Sequence, residues 1–183
     1  MHENKSPLIT DRSDPRFSQL VSLKSYKGRA RTDRYLIEGI RHVARAHDER
    51  APIECIFVEP STLQNPFGQK LARRLRQRNI PFLRLAPALY HDLTLANEPQ
   101  GIGAVLRQQR SSLSQIDLTL SPFWLAVESI DLPGNLGTIL RSAEAAGAEG
   151  VIFVGDGADP YDPACASNDG RTVFPQDGAM HVA

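Results

Sequence analysis

WLAVESIDLPGNLGTILRSAEAAGAEGVIFV, residues 124–154, is the stretch whose reading settles the architecture. Two short apolar runs, WLAVESI (124–130) and VIFV (151–154), flank a segment with apolar residues at helical spacing. At about 100° per residue, Leu136, Ile139, Leu140, Ala143 and Gly147 share one face, which predicts a helix over 136–146 closed by Gly147. A strand, a helix and a second strand in that order form the unit of a parallel α/β sheet. Between the first strand and the helix stand Pro133, Gly134, Asn135 and Gly137. Ligand crevices in such sheets open outside the carboxyl ends of strands, so this turn is a candidate site. Asn135 is placed to cap the helix, and Gly134 and Gly137 to permit the turn. Arg141 lies off the apolar stripe and is expected to point away from the sheet. The turn lacks both the G-x-G-x-x-G spacing and a phosphate-loop lysine, which disfavours a dinucleotide or nucleoside-triphosphate site.

Upstream, helices and strands alternate. Asp14 followed by Pro15 marks a helix start. YLIEG (35–39), IECIFV (53–58), PFLRL (81–85) and GIGAVLR (101–107) read as strands, and IRHVARAH (40–47), QKLARRLRQR (69–78) and ALYHDLTLA (88–96) as helices. That alternation predicts a mostly parallel sheet covered by helices. QQRSSLSQIDLTLSP (108–122), serine-rich with a closing proline, reads as a linker. The expected organisation is an α/β unit over 1–110, a linker over 111–122 and a second α/β unit over 123–183. The stretch from 155 onward reads as loops, with TVF (172–174) as one short strand and 151–154 as an exposed sheet edge.

Charge separates the same two parts. Of 21 basic and 21 acidic residues, positions 1–110 hold 19 and 11, a net of +8, and positions 111–183 hold 2 and 10, a net of −8. A basic first half suits a polyanion such as RNA. LKSYKGRARTDR (23–34) concentrates Lys24, Lys27, Arg29, Arg31 and Arg34 around Tyr26, a loop able to contact phosphates and stack on an unpaired base. Arg73, Arg74, Arg76 and Arg78 read as a solvated helix face. The polar N terminus is unlike a secretory signal, and no apolar run is long enough to span a bilayer. Cys55 and Cys165 form no C-x-x-C pair, and a reduced, cytoplasmic protein is expected. The histidines have no metal-ligand spacing with cysteines or acids, and Asp156, Asp159 and Asp162 miss the calcium-loop spacing and read as turn residues. No metal is expected.

Taken together, the residues of the first paragraph resemble the first motif of the SpoU (TrmH-like) family of RNA ribose 2′-O-methyltransferases, in the SPOUT superfamily. The matching positions are Glu128, Pro133, Asn135, Gly137, Arg141, Ala143, Ala146 and Gly147, and DPYDP (159–163) is similar to the loop that follows in many members. RYLIEGIRHV (34–43) and NEPQGIGAVLR (97–107) resemble the opening and closing of the family's substrate-binding domain, whose fold is similar to certain RNA-binding ribosomal proteins. The resemblance implies an N-terminal ribosomal-protein-like RNA-binding domain followed by a SPOUT, Rossmann-like methyltransferase domain. It implies S-adenosylmethionine as co-substrate, rRNA or tRNA as partner, and a homodimer in the complete family member. Arg141 is implied to hold a phosphate or polarise the ribose hydroxyl, with Asn135 ordering the site.

Beyond DPYDP the pattern departs from the family. The family's second and third motifs build a knotted cofactor-binding C terminus. Here Ser167 stands where an arginine is expected and Arg171 where a glycine is. No cofactor-binding residues are assigned on this ground. The 183-residue chain is expected to bind S-adenosylmethionine poorly, and the competing reading is a non-catalytic RNA-binding module left from a truncated methyltransferase.

Overall fold

The computed structural model describes residues 6–109 and 123–166, and the backbone of 180–182. The linker segment 111–122, the TVF segment, Ser167 and Arg171 lie outside the described residues. The chain divides into two compact units, 1–107 and 108–183.

In the first unit the order is β1 (Leu8–Ile9), α1 (Pro15–Ser22), α2 (Tyr26–Thr32), β2 (Arg34–Glu38), α3 (Ile40–Asp48), β3 (Ile53–Val58), α4 (Pro66–Gln77), β4 (Phe82–Leu85), α5 (Pro87–Leu93) and β5 (Ile102–Arg107). The sheet runs β1-β4-β3-β5-β2. The pairs β1–β4 and β3–β4 are parallel, but β5 is antiparallel to both β3 and β2. The expected mostly parallel sheet is present, with β5 as the strand of this unit that runs the other way.

Side chains alternate between the two faces of this sheet. Leu36, Phe57, Leu85 and Val105 join Phe17 and Leu20 of α1 and Leu89, Tyr90 and Leu93 of α5 in one core. Their chain neighbours Ile37, Ile56, Val58 and Ala104 are buried on the opposite face, as are Val43 of α3 and Leu71 and Leu75 of α4. The side chains of Asp14, Ser25 and Asn65 each accept a backbone N–H and fix the starts of α1, α2 and α4. The segment 23–34 is thus a capped helix rather than a loop. It ends at Asp33, whose φ of 52° reverses the chain into β2.

The second unit contains β6 (Trp124–Glu128), α6 (Pro133–Ala145), β7 (Gly150–Val154), α7 (Pro163–Ala166) and β8 (Met180–Val182). Its sheet runs β6-β7-β8, and both pairings are parallel. The tail therefore supplies a short helix and a strand, and β7 is central rather than an edge. Leu136, Leu140 and Ala143 of α6 pack on Val151 of β7 and Cys165 of α7, with Leu125, Val127 and Phe153 against them. Trp124 lies on the other face, its ring where a Cβ on Gly150 would sit, 2.2 Å away.

Candidate functional site

The strand–turn–helix of the second unit is built differently from its sequence reading. Helix α6 begins at Pro133, which occupies the first turn, and Leu132 precedes it with no side-chain cap. Proline's fixed φ and missing N–H suit that first position, and this moves the start three residues upstream of 136. Asn135 is then the third helical residue, exposed, and not the cap. Gly134 and Gly137 are helical too, and neither has a positive φ. The sharp change of direction falls instead at Ser129, with φ 51°, just after β6. Opposite it Gly155 has φ 74°, and the two strand ends are joined by Ser129 N–H to Val154 O at 3.4 Å and Ala158 N–H to Ile130 O at 2.6 Å.

Gly137 has a packing role. A Cβ there would lie 2.3 Å from the Cys165 carbonyl oxygen, so glycine is what lets α7 dock on α6. The DPYDP loop delivers α7 to that position. Asp159 accepts from Tyr161 N–H at 3.0 Å, and Asp162 accepts from Ala164 N–H at 2.9 Å at the start of α7. Both are turn residues, as read from sequence. Tyr161 is buried, and its hydroxyl donates to Gln109 O at 2.5 Å and accepts from Gln109 N–H at 2.8 Å.

Helix side chains lean toward the helix N terminus. Arg141 accordingly reaches back: Nη2 donates to Thr138 Oγ1 at 3.0 Å and Nη1 to Cys165 O at 3.4 Å. Thr138 in turn donates to Gly134 O at 3.1 Å. The guanidinium is half-buried and held toward the proline–glycine–asparagine end of α6, whose first turn has no side-chain cap. Pro133, Gly134, Asn135, Gly137 and Arg141 thus lie on one helix. Glu128 does not join them: it is exposed and alternates with Val127, which packs toward α6.

In the first unit the five cations of 24–34 part company. Arg29 is 1% exposed, and its Nη1 donates to the carbonyls of Leu23 and Lys24 at 3.1 and 3.0 Å. Its expected role toward RNA is therefore corrected: burial removes it from any phosphate, and it ties α2 to the end of α1. Arg34 donates to Glu54, which also accepts from Arg107 Nε at 2.8 Å. Arg34 and Arg107 face each other across β2 and β5, and a register shift in β3 between Ile53 and Cys55 brings Glu54 to both. The Arg34 contact, and then Arg107, hold the Glu54 carboxyl below its ordinary range. Lys24 donates to Asp92 O at 2.8 Å, while Lys27, Arg31 and Tyr26 are exposed.

The segments 34–43 and 97–107 meet at the other end of this sheet. Gly39 N–H donates to Ile102 O at 2.9 Å and Ile40 N–H to Gln100 Oε1 at 2.8 Å. Glu38 accepts from the hydroxyls of Tyr90 and Thr94 and from Leu95 N–H. Burial, and then the Glu38 carboxylate, push the Tyr90 hydroxyl pKa upward. Gly101, at φ 74°, leaves no room for a side chain, since a Cβ would sit 2.5 Å from Leu63 N. Among the described residues no three His, Cys, Asp or Glu side chains group as metal ligands, and no helix is long and apolar enough to cross a membrane.

Residues 14–104 match the MRM3-like substrate binding domain. The whole chain is similar to a crystal structure of an RNA 2′-O ribose methyltransferase, with 31% identity and a TM-score of 0.72 over 97% of this chain and 66% of that one. It is similar also to the SpoU methyltransferase AviRb from Streptomyces viridochromogenes in complex with AdoMet, at 26% identity and a TM-score of 0.72 over 92% of this chain and 62% of that one. These findings support placing the chain with the SpoU methyltransferases. A curated relative, the 23S rRNA (uridine(2479)-2′-O)-methyltransferase of the same species, is 29% identical over 91% of this chain and 57% of its own length. The chain thus spans just over half of that relative. Sequence reasoning placed a helix between the two strands of the second unit, as the structure has it. It missed Tyr161, Thr138 and Glu54, whose contacts join residues distant in the chain or one helical turn apart and leave no periodic signal.

Proposed function

We propose that this chain acts in the methylation of a ribose 2′-hydroxyl of ribosomal RNA, in the cytoplasm, with S-adenosylmethionine as co-substrate. Residues 1–110 hold the RNA, 111–122 connect, and 123–183 carry part of the catalytic domain. The observation that carries this is Arg141, a guanidinium positioned by Thr138 and the Cys165 carbonyl on a helix whose amino end is exposed and lacks a side-chain cap. The likeness to the AdoMet-bound AviRb structure and to an enzyme named for 23S rRNA supports the choice of cofactor and substrate.

The ends of β6 and β7, lined by backbone at 129–130 and 154–158, fit one wall of a cofactor site. When bound, S-adenosylmethionine would supply the methyl group to the 2′-oxygen, its sulfur keeping the electron pair of the broken C–S bond and the hydroxyl proton passing to water. A guanidinium is a planar cation with several donors, so the part of Arg141 is to hold the adjacent phosphate and stabilise negative charge growing on the 2′-oxygen. Asn135 offers a side-chain amide at the exposed end of the same helix and orders the nucleotide there. Lys24, Lys27 and Arg31 contact RNA phosphates, and Tyr26 stacks on a base. Two copies form the working unit, with Arg141 reaching the neighbouring copy's substrate.

The test is incorporation of tritiated methyl from S-adenosylmethionine into 23S rRNA, followed by mapping of the modified ribose by primer extension at low nucleotide concentration. Label at a single 2′-hydroxyl, lost in Arg141→Ala, is expected. Label on a base would overturn the reading.

A further inference from the structure

One face of the first unit's sheet is not fully covered. Helix α1 and helix α2 meet closely, because Gly28 brings α2 to where a Cβ would lie 1.9 Å from Ser22 O. Beside this corner an open cleft of about 680 Å³ exposes the strand surface, well inside the roughly 300–1,000 Å³ of small-ligand sites. Its floor is apolar: Val105 of β5, with the half-buried Leu83 and Cys55 alongside. Its rim carries three guanidiniums, Arg16, Arg31 and Arg34, against the single carboxylate of Glu54. Arg16 is engaged by Asp14 and Arg34 by Glu54. Arg31 is exposed, with no ion pair among the described residues.

We propose that this cleft receives one unstacked nucleotide of the bound RNA, its base against Val105, Leu83 and Cys55 and its phosphate on Arg31. The proposal rests on the RNA-binding reading above and adds a place where a single base is taken out of the strand. An apolar floor beside a ring of cations is the chemistry that splayed-out bases require, since the base loses its stacking partners and its phosphate keeps its charge. An apolar small molecule would have no use for the guanidiniums, and an inorganic anion none for the floor. Gln19 and Thr32 on the rim supply hydrogen-bonding groups for a base edge.

The experiment titrates the full chain with uridine and adenosine 5′-monophosphates and follows the methyl NMR signals of Leu83 and Val105. Saturable shifts are expected, weakened at least tenfold by Arg31→Glu and by Gln19→Trp, which fills the cleft mouth from an exposed position, and unchanged by Lys70→Glu on α4. Methyl signals that ignore both nucleotides, or shifts unchanged in Arg31→Glu, overturn the proposal, as do equal shifts with inorganic phosphate. Filter binding to 23S rRNA keeps the two readings apart. Retention of RNA without any mononucleotide response removes the cleft alone, whereas loss of all RNA binding removes the parent reading.

Discussion

Arg29 and Arg141 look alike in sequence, each an arginine in a helix that follows a turn, and both guanidiniums donate to backbone carbonyls near a short helix. Their surroundings separate them. Arg29 is 1% exposed, so its charge is out of water and committed to Leu23 and Lys24. Arg141 is half-buried, with one of its partners, Thr138, on an exposed helix face. A buried guanidinium cannot exchange its partners without a large desolvation cost, while one at the surface can give up a hydroxyl for a phosphate. The same residue type is structural at the first place and fit for ligand work at the second.

The largest effect is expected at the buried member of the pair. Arg29→Ala leaves two carbonyls of the α1 end without their donor and opens a cavity at the α1–α2 corner. A loss of about 3 kcal/mol in urea unfolding is expected. Arg141→Ala in the same assay should shift stability by less than about 1 kcal/mol, because it opens no core cavity. Equal losses for the two would erase the distinction.

Next come the glycines that seat each corner. Gly28→Ala drives a methyl into Ser22 O, and Gly137→Ala drives one into Cys165 O. In both cases the obstacle is backbone, so a loss of about 2 kcal/mol is expected from each. The two should differ in consequence. Gly28→Ala should weaken RNA retention by distorting the cationic corner. Gly137→Ala should displace α7 from Arg141 and depress methyl transfer with RNA retention kept. Filter binding and tritium incorporation, run on both variants, check the split.

A functional effect without a stability effect is expected for Arg141→Ala itself: methyl transfer reduced by about 100-fold, with urea unfolding nearly unchanged. Arg141→Lys should restore little, because a point charge cannot hold both Thr138 and the Cys165 carbonyl in a planar fork. Rescue by lysine would show that charge alone suffices.

The elements were legible where local chemistry dictated them. IECIFV is β3 to the residue, and Asp14 with Pro15 starts α1 as read. The errors share one cause, which is that the competing term was tertiary or lay two residues away. Pro133 outranked Asn135 in setting the start of α6, although the two are only two residues apart on the same turn. Arg29 gave no sign in the sequence that it points inward, since its partners are carbonyls, which every residue carries. β8 pairs with β7 across more than twenty residues, a contact that a polar, glycine-rich tail does not announce. Arg141 was singled out by its position within a spaced set of residues rather than by its own character.

The smallest effect concerns the ion pair that neutralises Arg34 and Arg107. The Arg34 guanidinium, opposed by partial burial and aided by Arg107, depresses the folded-state pKa of Glu54. A carboxyl whose folded pKa lies below its unfolded value near about 4.3 binds fewer protons in the native state. Its stabilising contribution is therefore complete above that unfolded value and disappears as pH falls through the lower folded one. Both arginine side chains are well exposed, at 44% and 64%, so solvent screens the pair. A contribution of a few tenths of a kcal/mol is expected. Glu54→Gln should flatten the acid limb of stability below the unfolded carboxyl value by that amount, measured by urea unfolding at low salt. It should also remove the carboxylate between Arg34 and Arg107, raising the affinity of this sheet edge for RNA at low salt and less so at high salt. An acid limb identical to that of the unsubstituted chain would mean that Glu54 is placed by the bulge in β3 without contributing to stability there.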